Sequence, residues 1–460
     1  MLLYLTALSL TNSPVQQVAP APRDSTEGAL ESRVNAFVEP YVATNNFTGV
    51  ILVRRNGQVQ LEKGYGRASY EFDVRHTPRS RFHIASVSKS FTAAAVLLLE
   101  ERGKLSTNHS VARYIPAYPQ GEKLQIEHLL KHTSGIPNLG GQPEWEREER
   151  MSHSLEELVG LFKDRPLEFE PGAEVRYSNS NYNLLALIIE KVSGQSYESF
   201  LRENIWAPLG LRSTLDGADM SRIIPYLATG TEPDGVRGVR LPRFIDWSGR
   251  RGSGSLVTTA SDLDRFTQAL FGGELLQTSS VAKIMAPAEG FAYGWFRDER
   301  FGRKQVRSGG RSPGYNASVE RYLDDGTTVI VLTNSYSPVG QDPAFLEGLH
   351  AAVFGRKVTP PKLAPVQVKP GALAVFAGRY QMPRDYFVPD ATLTLVDRGD
   401  HFEAQWNNGA SNTVYPVEPN RFLDRNFWAD LRFTRDAKGA VTGFTYELAS
   451  QRFAARRLGR

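Results

Sequence analysis

Apolar and polar positions along the first 355 residues predict strand-like ends around a helical middle. The runs 47–53 and 59–63 flank Asn56-Gly57, a dipeptide that strongly favours a hairpin turn. Helices are predicted over 29–44, from Ser86 to near Gly103, and over 125–133, 154–164, 180–193, 197–205, 260–271, 278–286 and 343–354, with Gly194 as a C-cap and Ser261 as an N-cap. Strands are predicted over 291–297, 317–323 and 327–334. We expect an α+β domain in which both ends build one antiparallel sheet flanked by helices, with a helical subdomain inserted between them.

The last hundred residues have a different pattern. Four prolines fall between 356 and 371, a composition typical of a linker. Short β-like runs then recur at 374–380, 391–396, 402–406, 413–417, 431–435 and 441–448, which predicts a small all-β barrel or sandwich. The predicted division is therefore a signal-like or disordered segment 1–28, a main domain 29–355, a linker 356–371 and a β domain 372–460.

Composition narrows the possible functions. The chain has 460 residues, of which 23% are charged and 41% hydrophobic, as in a globular protein. Its net charge is only +4 and its basic residues are not clustered, so we expect no nucleic-acid partner. Without cysteine it has no disulfide, cysteine–zinc site or thiol nucleophile. His128 and His132 have the i, i+4 spacing of a metal pair but lack the adjacent Glu of a zincin, so no metal or other cofactor is expected.

The first ten residues are mostly apolar and resemble the core of a secretory signal. Ala19-Pro20-Ala21 offers a cleavage site, although no basic segment precedes the apolar run. We expect a periplasmic or secreted protein, with a plain disordered arm as the alternative. No other stretch approaches the roughly 20 apolar residues of a membrane span.

Ser86 and Lys89 are the leading candidates for chemistry. They are three residues apart at the start of an almost wholly apolar helix, so their side chains share one face. Burial lowers the pKa of a lysine, and a neutral amine can accept the proton of a neighbouring hydroxyl. The alternative is a serine N-cap followed by a solvated lysine.

Tyr177 and Asn179 are two apart in a segment that precedes a helix, so both can face one site. A phenol held near cations is expected to ionise more easily and to serve as a general base. The Asn179 amide suits the orientation of Lys89 or of a substrate amide. The alternative is a helix start rich in capping groups.

Ser308-Gly309-Gly310-Arg311 is a further candidate, because small residues let a substrate backbone lie along a sheet edge. A backbone N–H here and that of Ser86 could form an oxyanion hole. The alternative is a plain glycine-rich turn. Gly310–Gly314 also matches the G-x-S-x-G elbow of α/β-hydrolases, but Pro313-Gly314 and a strand-like run follow where that elbow needs a helix.

Together these motifs resemble the serine β-lactamase and penicillin-binding-protein superfamily. The nearest branch is the class C β-lactamase-related group, which includes D-alanyl-D-alanine carboxypeptidases, D-amino-acid peptidases and family VIII esterases. The resemblance extends over about residues 30–355 and also rests on the stretches 82–89, 129–137, 177–182 and 259–263. The final β domain resembles the lipocalin-like appendage of such proteins.

The resemblance implies a two-step acyl transfer on a small-molecule or peptide substrate. Ser86 would attack a carbonyl, Lys89 and Tyr177 would share the proton transfers, and Asn179 would hold Lys89 and the substrate. The backbone N–H groups of Ser86 and Arg311 would bind the oxyanion. The alternatives are a D-aminoacyl peptidase or D-Ala-D-Ala carboxypeptidase and a catalytically silent binding or sensor protein.

One position departs from the family pattern. Ser308 stands where the third motif usually has Lys or His, and Arg307 would face the other side of a regular strand. Only a one-residue bulge would turn Arg307 inward. Loss of this cation predicts weaker recognition of substrate carboxylates and favours uncharged esters or amides.

Overall fold

A computed structural model describes residues 25–286, 290–448 and 451–459. The predicted signal at the N-terminus lies outside the described residues. The helices are α1 (Ser25–Ala43), α2 (Ser88–Glu101), α3 (Ile126–Leu130), α4 (Trp145–Glu148), α5 (Leu155–Gly160), α6 (Asn179–Ser193), α7 (Tyr197–Leu201), α8 (Ala207–Leu209), α9 (Ala260–Phe271), α10 (Thr278–Met285) and α11 (Pro343–Val353). The strands before the linker are β1 (Gly49–Arg55), β2 (Gln58–Tyr65), β3 (Arg67–Ser69), β4 (Val74–Arg75), β5 (Phe82–His83), β6 (Leu215–Asp216), β7 (Glu232–Asp234), β8 (Gly238–Arg240), β9 (Leu256–Thr258), β10 (Gly290–Ala292), β11 (Trp295–Arg300), β12 (Arg303–Ser312), β13 (Tyr315–Tyr322) and β14 (Thr328–Thr333). The later strands are β15 (Gly378–Gln381), β16 (Thr392–Asp397), β17 (Phe402–Trp406), β18 (Ser411–Glu418), β19 (Arg421–Asp424), β20 (Ala429–Arg435), β21 (Val441–Leu448) and β22 (Gln451–Arg457).

The central sheet has seven antiparallel strands in the order β10-β11-β12-β13-β14-β1-β2. Its two halves meet where β1 pairs with β14, with Gly49 opposite Thr333 and Val53 opposite Val329. Both ends of the main domain thus contribute to one sheet. The α+β architecture with an inserted helical region is confirmed.

Helices cover both faces of this sheet because its strands are apolar on both sides. In β1, Val50 and Leu52 pack into the core that contains α2, α6 and α9. Ile51 and Val53 point to the opposite face and pack with α1 and α11. All four side chains are fully buried, which explains why β1 reads as a continuous apolar run.

The eight later strands close into a barrel, as the β pattern predicted. The barrel also contacts the main domain through Arg425, which is fully buried. Its guanidinium donates to Asn46 Oδ1 and to the backbone carbonyls of Asn45, Asp234, Gly235 and Gly238, at 2.7–3.1 Å. The barrel and the domain that precedes it therefore share a hydrogen-bonded contact.

Several local predictions are wrong. The run 291–297 is broken by a turn at Tyr293-Gly294 into β10 and β11, and Gly294 has a left-handed backbone. The N-cap of α9 is Thr259 rather than Ser261, because the Thr259 side chain accepts the Asp262 N–H. Strands β19 and β22 were not predicted. Within the described ranges, no helix is long and apolar enough to cross a membrane.

Candidate active site

Ser86 lies at a tight bend between β5 and α2. It is in a single 3₁₀ turn, Ala85–Val87, which leads directly into α2 rather than forming its first turn. Ala85 has a φ of 46°, a left-handed conformation that is uncommon for alanine. From Ser88 to Leu99 every residue of α2 is buried, so the helix is a rigid support for the bend.

Ser86, Lys89 and Tyr177 form one hydrogen-bonded group. Lys89 Nζ lies 3.0 Å from Ser86 Oγ, and Ser86 Oγ lies 2.7 Å from the Tyr177 hydroxyl. The structure therefore brings these predicted residues together, although Ser86 and Tyr177 are 91 positions apart. Three groups that can exchange protons are in direct contact.

Lys89 is held so that its neutral form can act on Ser86. It is 1% exposed, and burial, together with the nearby Arg250 guanidinium, lowers the pKa of its ammonium well below the usual value. Its Nζ also donates to Asn179 Oδ1 at 2.8 Å and to the Ser253 carbonyl at 2.6 Å. These two acceptors match the two N–H groups of a neutral amine, so its lone pair is left for the Ser86 hydroxyl.

Tyr177 differs from the expectation. Although 40% of the residue is exposed, desolvation raises the pKa of its phenol to about 12, against smaller lowering effects of the Ser86 hydrogen bond and Arg250. The prediction of an easily ionised phenol is therefore wrong. Tyr177 is a neutral phenol near pH 7, suited to donating or relaying a proton.

Asn179 is oriented by Asn138, which sequence reasoning missed. Asn138 Oδ1 accepts from the Asn179 backbone N–H at 3.0 Å and from its side-chain Nδ2 at 3.3 Å. Because Nδ2 is engaged there, Oδ1 of Asn179 faces Lys89. The sequence signal that could have indicated Asn138 was its position directly after the predicted loop 132–137.

The segment 308–311 belongs to the interior of β12, so the alternative of a glycine-rich turn is wrong. A Cβ atom at Gly310 would lie 2.7 Å from the Ser86 backbone nitrogen, so this strand passes close to the nucleophile. Ser312 pairs with Tyr315 across a two-residue turn. Because hydrogen-bonded and non-hydrogen-bonded pairs alternate, Arg311 directs its backbone N–H away from β13 and toward the open edge of β12.

Ser308 supplies no charge to the site. It is 2% exposed, and its hydroxyl donates to the Gly294 carbonyl at 2.9 Å. Arg307 is not turned inward, because β12 and β13 pair without a register shift and Arg307 forms an ion pair with Asp298 at 2.5 Å. The bulge that sequence analysis considered is absent between these two strands.

Arginines from other elements bring positive charge to the region. Arg250 lowers the pKa of both Lys89 and Tyr177 and also donates to Glu149 at 3.1 Å. Arg311 lies over the Tyr336 ring at 4.1 Å and donates to the Tyr336 carbonyl. Sequence reasoning missed Arg250 because nothing in the local sequence marks its approach to Lys89.

Two alternative chemistries find no support in the geometry. Ser312 ends β12 and is followed by a turn and β13, not by the helix that a nucleophile elbow requires. No cluster of three or more potential metal ligands occurs in the part of the chain that the structure describes. His132 instead packs against the Tyr177 ring, with 4.5 Å between ring centroids.

Comparisons with known proteins agree with this geometry. A family described as Beta-lactamase matches residues 34–352. Penicillin-binding protein 4* of Bacillus subtilis (strain 168) is 28% identical over 439 residues, which is 90% of this chain and 95% of the relative.

Two solved structures share the fold. D-amino acid amidase from Ochrobactrum anthropi SV3, solved with D-phenylalanine, has a TM-score of 0.62 at 23% identity and covers 71% of this chain and 99% of its own. The octameric penicillin-binding protein homologue from Pyrococcus abyssi also has a TM-score of 0.62 at 23% identity, and it covers 93% of this chain and 99% of its own. The family match, which spans more than half of the sequence, identifies the chain as a member of the Beta-lactamase family of serine hydrolases and penicillin-binding-protein homologues.

Proposed function

We propose that this protein hydrolyses an ester or amide bond through a covalent acyl-enzyme on Ser86. The observation that carries the proposal is the buried Lys89 amine 3.0 Å from Ser86 Oγ, with two other acceptors already occupying its N–H groups. This arrangement makes a lysine the general base without a histidine.

In the acylation step, the proton of Ser86 Oγ moves to Lys89 Nζ while Oγ attacks the substrate carbonyl carbon. The oxyanion is stabilised by the backbone N–H groups of Ser86 and Arg311. When the tetrahedral intermediate collapses, the bond to the leaving group breaks and the leaving oxygen or nitrogen takes a proton from the Tyr177 hydroxyl. Lys89 then gives its proton to the Tyr177 oxygen, which lies beside the same Ser86 Oγ, so the proton lost by Ser86 is balanced by the one that the leaving group gained.

Deacylation repeats these transfers with water as the nucleophile. The same groups remove a proton from water, which attacks the acyl carbon, and return one to Ser86 Oγ. The high pKa of Tyr177 fits this role, since a neutral phenol both donates and accepts a hydrogen bond.

A D-aminoacyl peptidase or D-Ala-D-Ala carboxypeptidase is the second candidate. Loss of the cation at Ser308 disfavours substrates with a carboxylate, but Arg250 returns positive charge to the site. The similarity to penicillin-binding protein 4* supports the same candidate. Substrate choice therefore has to be measured across classes.

The test is turnover and intact-protein mass with p-nitrophenyl butyrate, a D-alanine p-nitroanilide, a fluorophosphonate and a penicillin. The Ser86→Ala variant is compared with the parent and with Ser221→Ala, which changes an exposed serine. We expect adducts in the parent and Ser221→Ala but none in Ser86→Ala. If folded parent protein takes no label and turns over no substrate, the proposal fails and a binding protein remains.

A further inference from the structure

His132 holds the chain on both sides of Tyr177. Its backbone carbonyl accepts the Arg176 N–H at 2.9 Å, and its ring Nδ1 accepts the Ser178 N–H at 3.2 Å. Its ring also packs against the Tyr177 ring, tilted by 43°. One residue thus contacts the backbone before Tyr177, the backbone after it and the phenol ring itself.

The backbone of the 132–135 loop makes this possible. His132 has a φ of 58° and Gly135 a φ of 76°, both in the left-handed region. Histidine tolerates that region better than most residues. The reversal turns the carbonyl and the side chain of His132 toward the same extended segment.

The hydrogen bonds also define the protonation of the ring. Nδ1 accepts a second N–H, from Asn181 Nδ2 at 3.2 Å, while Asn181 Oδ1 accepts from Ser134. Nδ1 therefore carries no proton, and the ring is the neutral Nε2–H form. Burial lowers the pKa of His132, so this form persists near neutral pH.

The other ring nitrogen shows that packing alone does not account for a histidine here. His132 is 1% exposed, and Nε2 has no hydrogen-bond partner among the described residues. The ring is flanked by Tyr182 and Phe291 at 5.2 and 4.5 Å. A purely apolar ring would pack in the same space without leaving a buried N–H donor unpaired. The acceptor at Nδ1 is therefore the property that distinguishes histidine at this position.

We propose that His132 is a positioning residue that keeps the Tyr177 hydroxyl within hydrogen-bond distance of Ser86. This inference rests on the proposed function of Ser86 and Tyr177. The Tyr177 ring also meets Phe291 edge-on, with 6.3 Å between ring centroids, and Lys89 Nζ lies 4.9 Å from its centroid. His132 differs from these two neighbours because it also hydrogen-bonds the backbone on both sides of Tyr177. A displaced phenol would bind substrate but transfer protons poorly.

The test compares His132→Phe, which keeps a ring without the acceptor, with His132→Asn, whose side-chain oxygen can replace Nδ1 and which tolerates the left-handed backbone. With an ester substrate, we expect His132→Phe to lower kcat by about 100-fold with KM within about threefold. His132→Asn should stay within about fivefold of the parent. His128→Phe, one helical turn away, is the matched control and should keep the parent kcat.

A second readout separates this inference from the proposed function. In protein labelled with ¹³Cζ-tyrosine, the Tyr177 signal is assigned by its loss in Tyr177→Phe. We expect His132→Phe to shift or broaden that signal and His132→Asn to preserve it, even if the parent turns over no substrate. If His132→Phe does not fold, His132→Gln replaces it, since its oxygen lies at the Nε2 position. Equal effects of both variants on kcat and on the signal, or no effect of either, would overturn the inference.

Discussion

Gly310 offers a sharp test of the oxyanion hole, because adding one methyl group acts directly on the nucleophile's backbone. A Cβ at this position would lie 2.2 Å from the Ile84 carbonyl oxygen and 2.7 Å from the Ser86 nitrogen. Ordinary contacts begin near 3.4 Å, so β12 and the segment 84–86 would have to separate by roughly 1.2 Å. Gly310→Ala should therefore open the space between the two proposed oxyanion donors.

The size of the effect follows from what each donor contributes. Losing one oxyanion-hole donor costs about 10²–10³ in kcat, or about 2.7–4 kcal/mol of transition-state stabilisation. Overpacking of this kind costs about 1–3 kcal/mol of stability. We expect Gly310→Ala to fold with a lower melting temperature and to lose at least about 100-fold in kcat.

Gly309→Ala is the matched control. The two glycines are neighbours with no left-handed φ, but a Cβ at Gly309 would meet the end of the Gln341 side chain at 3.3 Å and lie in ordinary contact with the Ala317 carbonyl oxygen at 3.8 Å. We expect Gly309→Ala to lose less than about fivefold. The assay is ester turnover with melting temperatures measured in parallel. If the two variants lose the same activity, or Gly310→Ala remains fully active, the proposed donor pair is refuted.

Three further predictions concern other parts of the site and the contact with the barrel. On the acid side of the pH profile, kcat/KM should fall as the pH falls through the depressed pKa of Lys89, because the protonated amine cannot act as a base. Tyr177, with a pKa of about 12, should cause no loss of activity below about pH 11. A pH–rate profile that declines between about pH 8 and 10 would contradict this assignment. Asn138→Ala should lower kcat about tenfold by freeing the Asn179 amide to rotate, with little change in melting temperature, while an unchanged kcat would argue against its orienting role. Arg425→Met should lower the free energy of unfolding, measured by urea titration, by about 3 kcal/mol, because it leaves buried backbone carbonyls without hydrogen-bond donors. A loss of less than about 1 kcal/mol would show that the contact is not stabilising.

Most of the fold could be predicted because its signals are local. The Asn56-Gly57 turn and the apolar β1 were enough to place the first hairpin, and Gly194 ends α6 in the left-handed conformation expected of a C-cap. The errors occur where tertiary contacts decide. The turn at Tyr293-Gly294 has no polar signal, and its backbone packs against α2 so closely that a Cβ on Gly294 would lie 2.7 Å from Ser90.

The site could be predicted only in part. Ser86, Lys89, Tyr177 and Asn179 were identified by motif and spacing, and the structure places them in contact. The Ser253 carbonyl could not be predicted, because any residue provides a carbonyl and only the fold selects one. The pKa of Tyr177 was predicted in the wrong direction because sequence shows the nearby cations but not the desolvation that outweighs them.

The central claim is that Ser86 is the nucleophile and that the neutral Lys89 amine activates it. The most direct measurement is peptide mass spectrometry of the protein after reaction with a fluorophosphonate, alongside Lys89→Met. We predict an adduct on Ser86 that forms at least about 1,000-fold more slowly in Lys89→Met. An adduct on Ser312, or one on Ser86 that forms at the same rate without Lys89, would contradict the account.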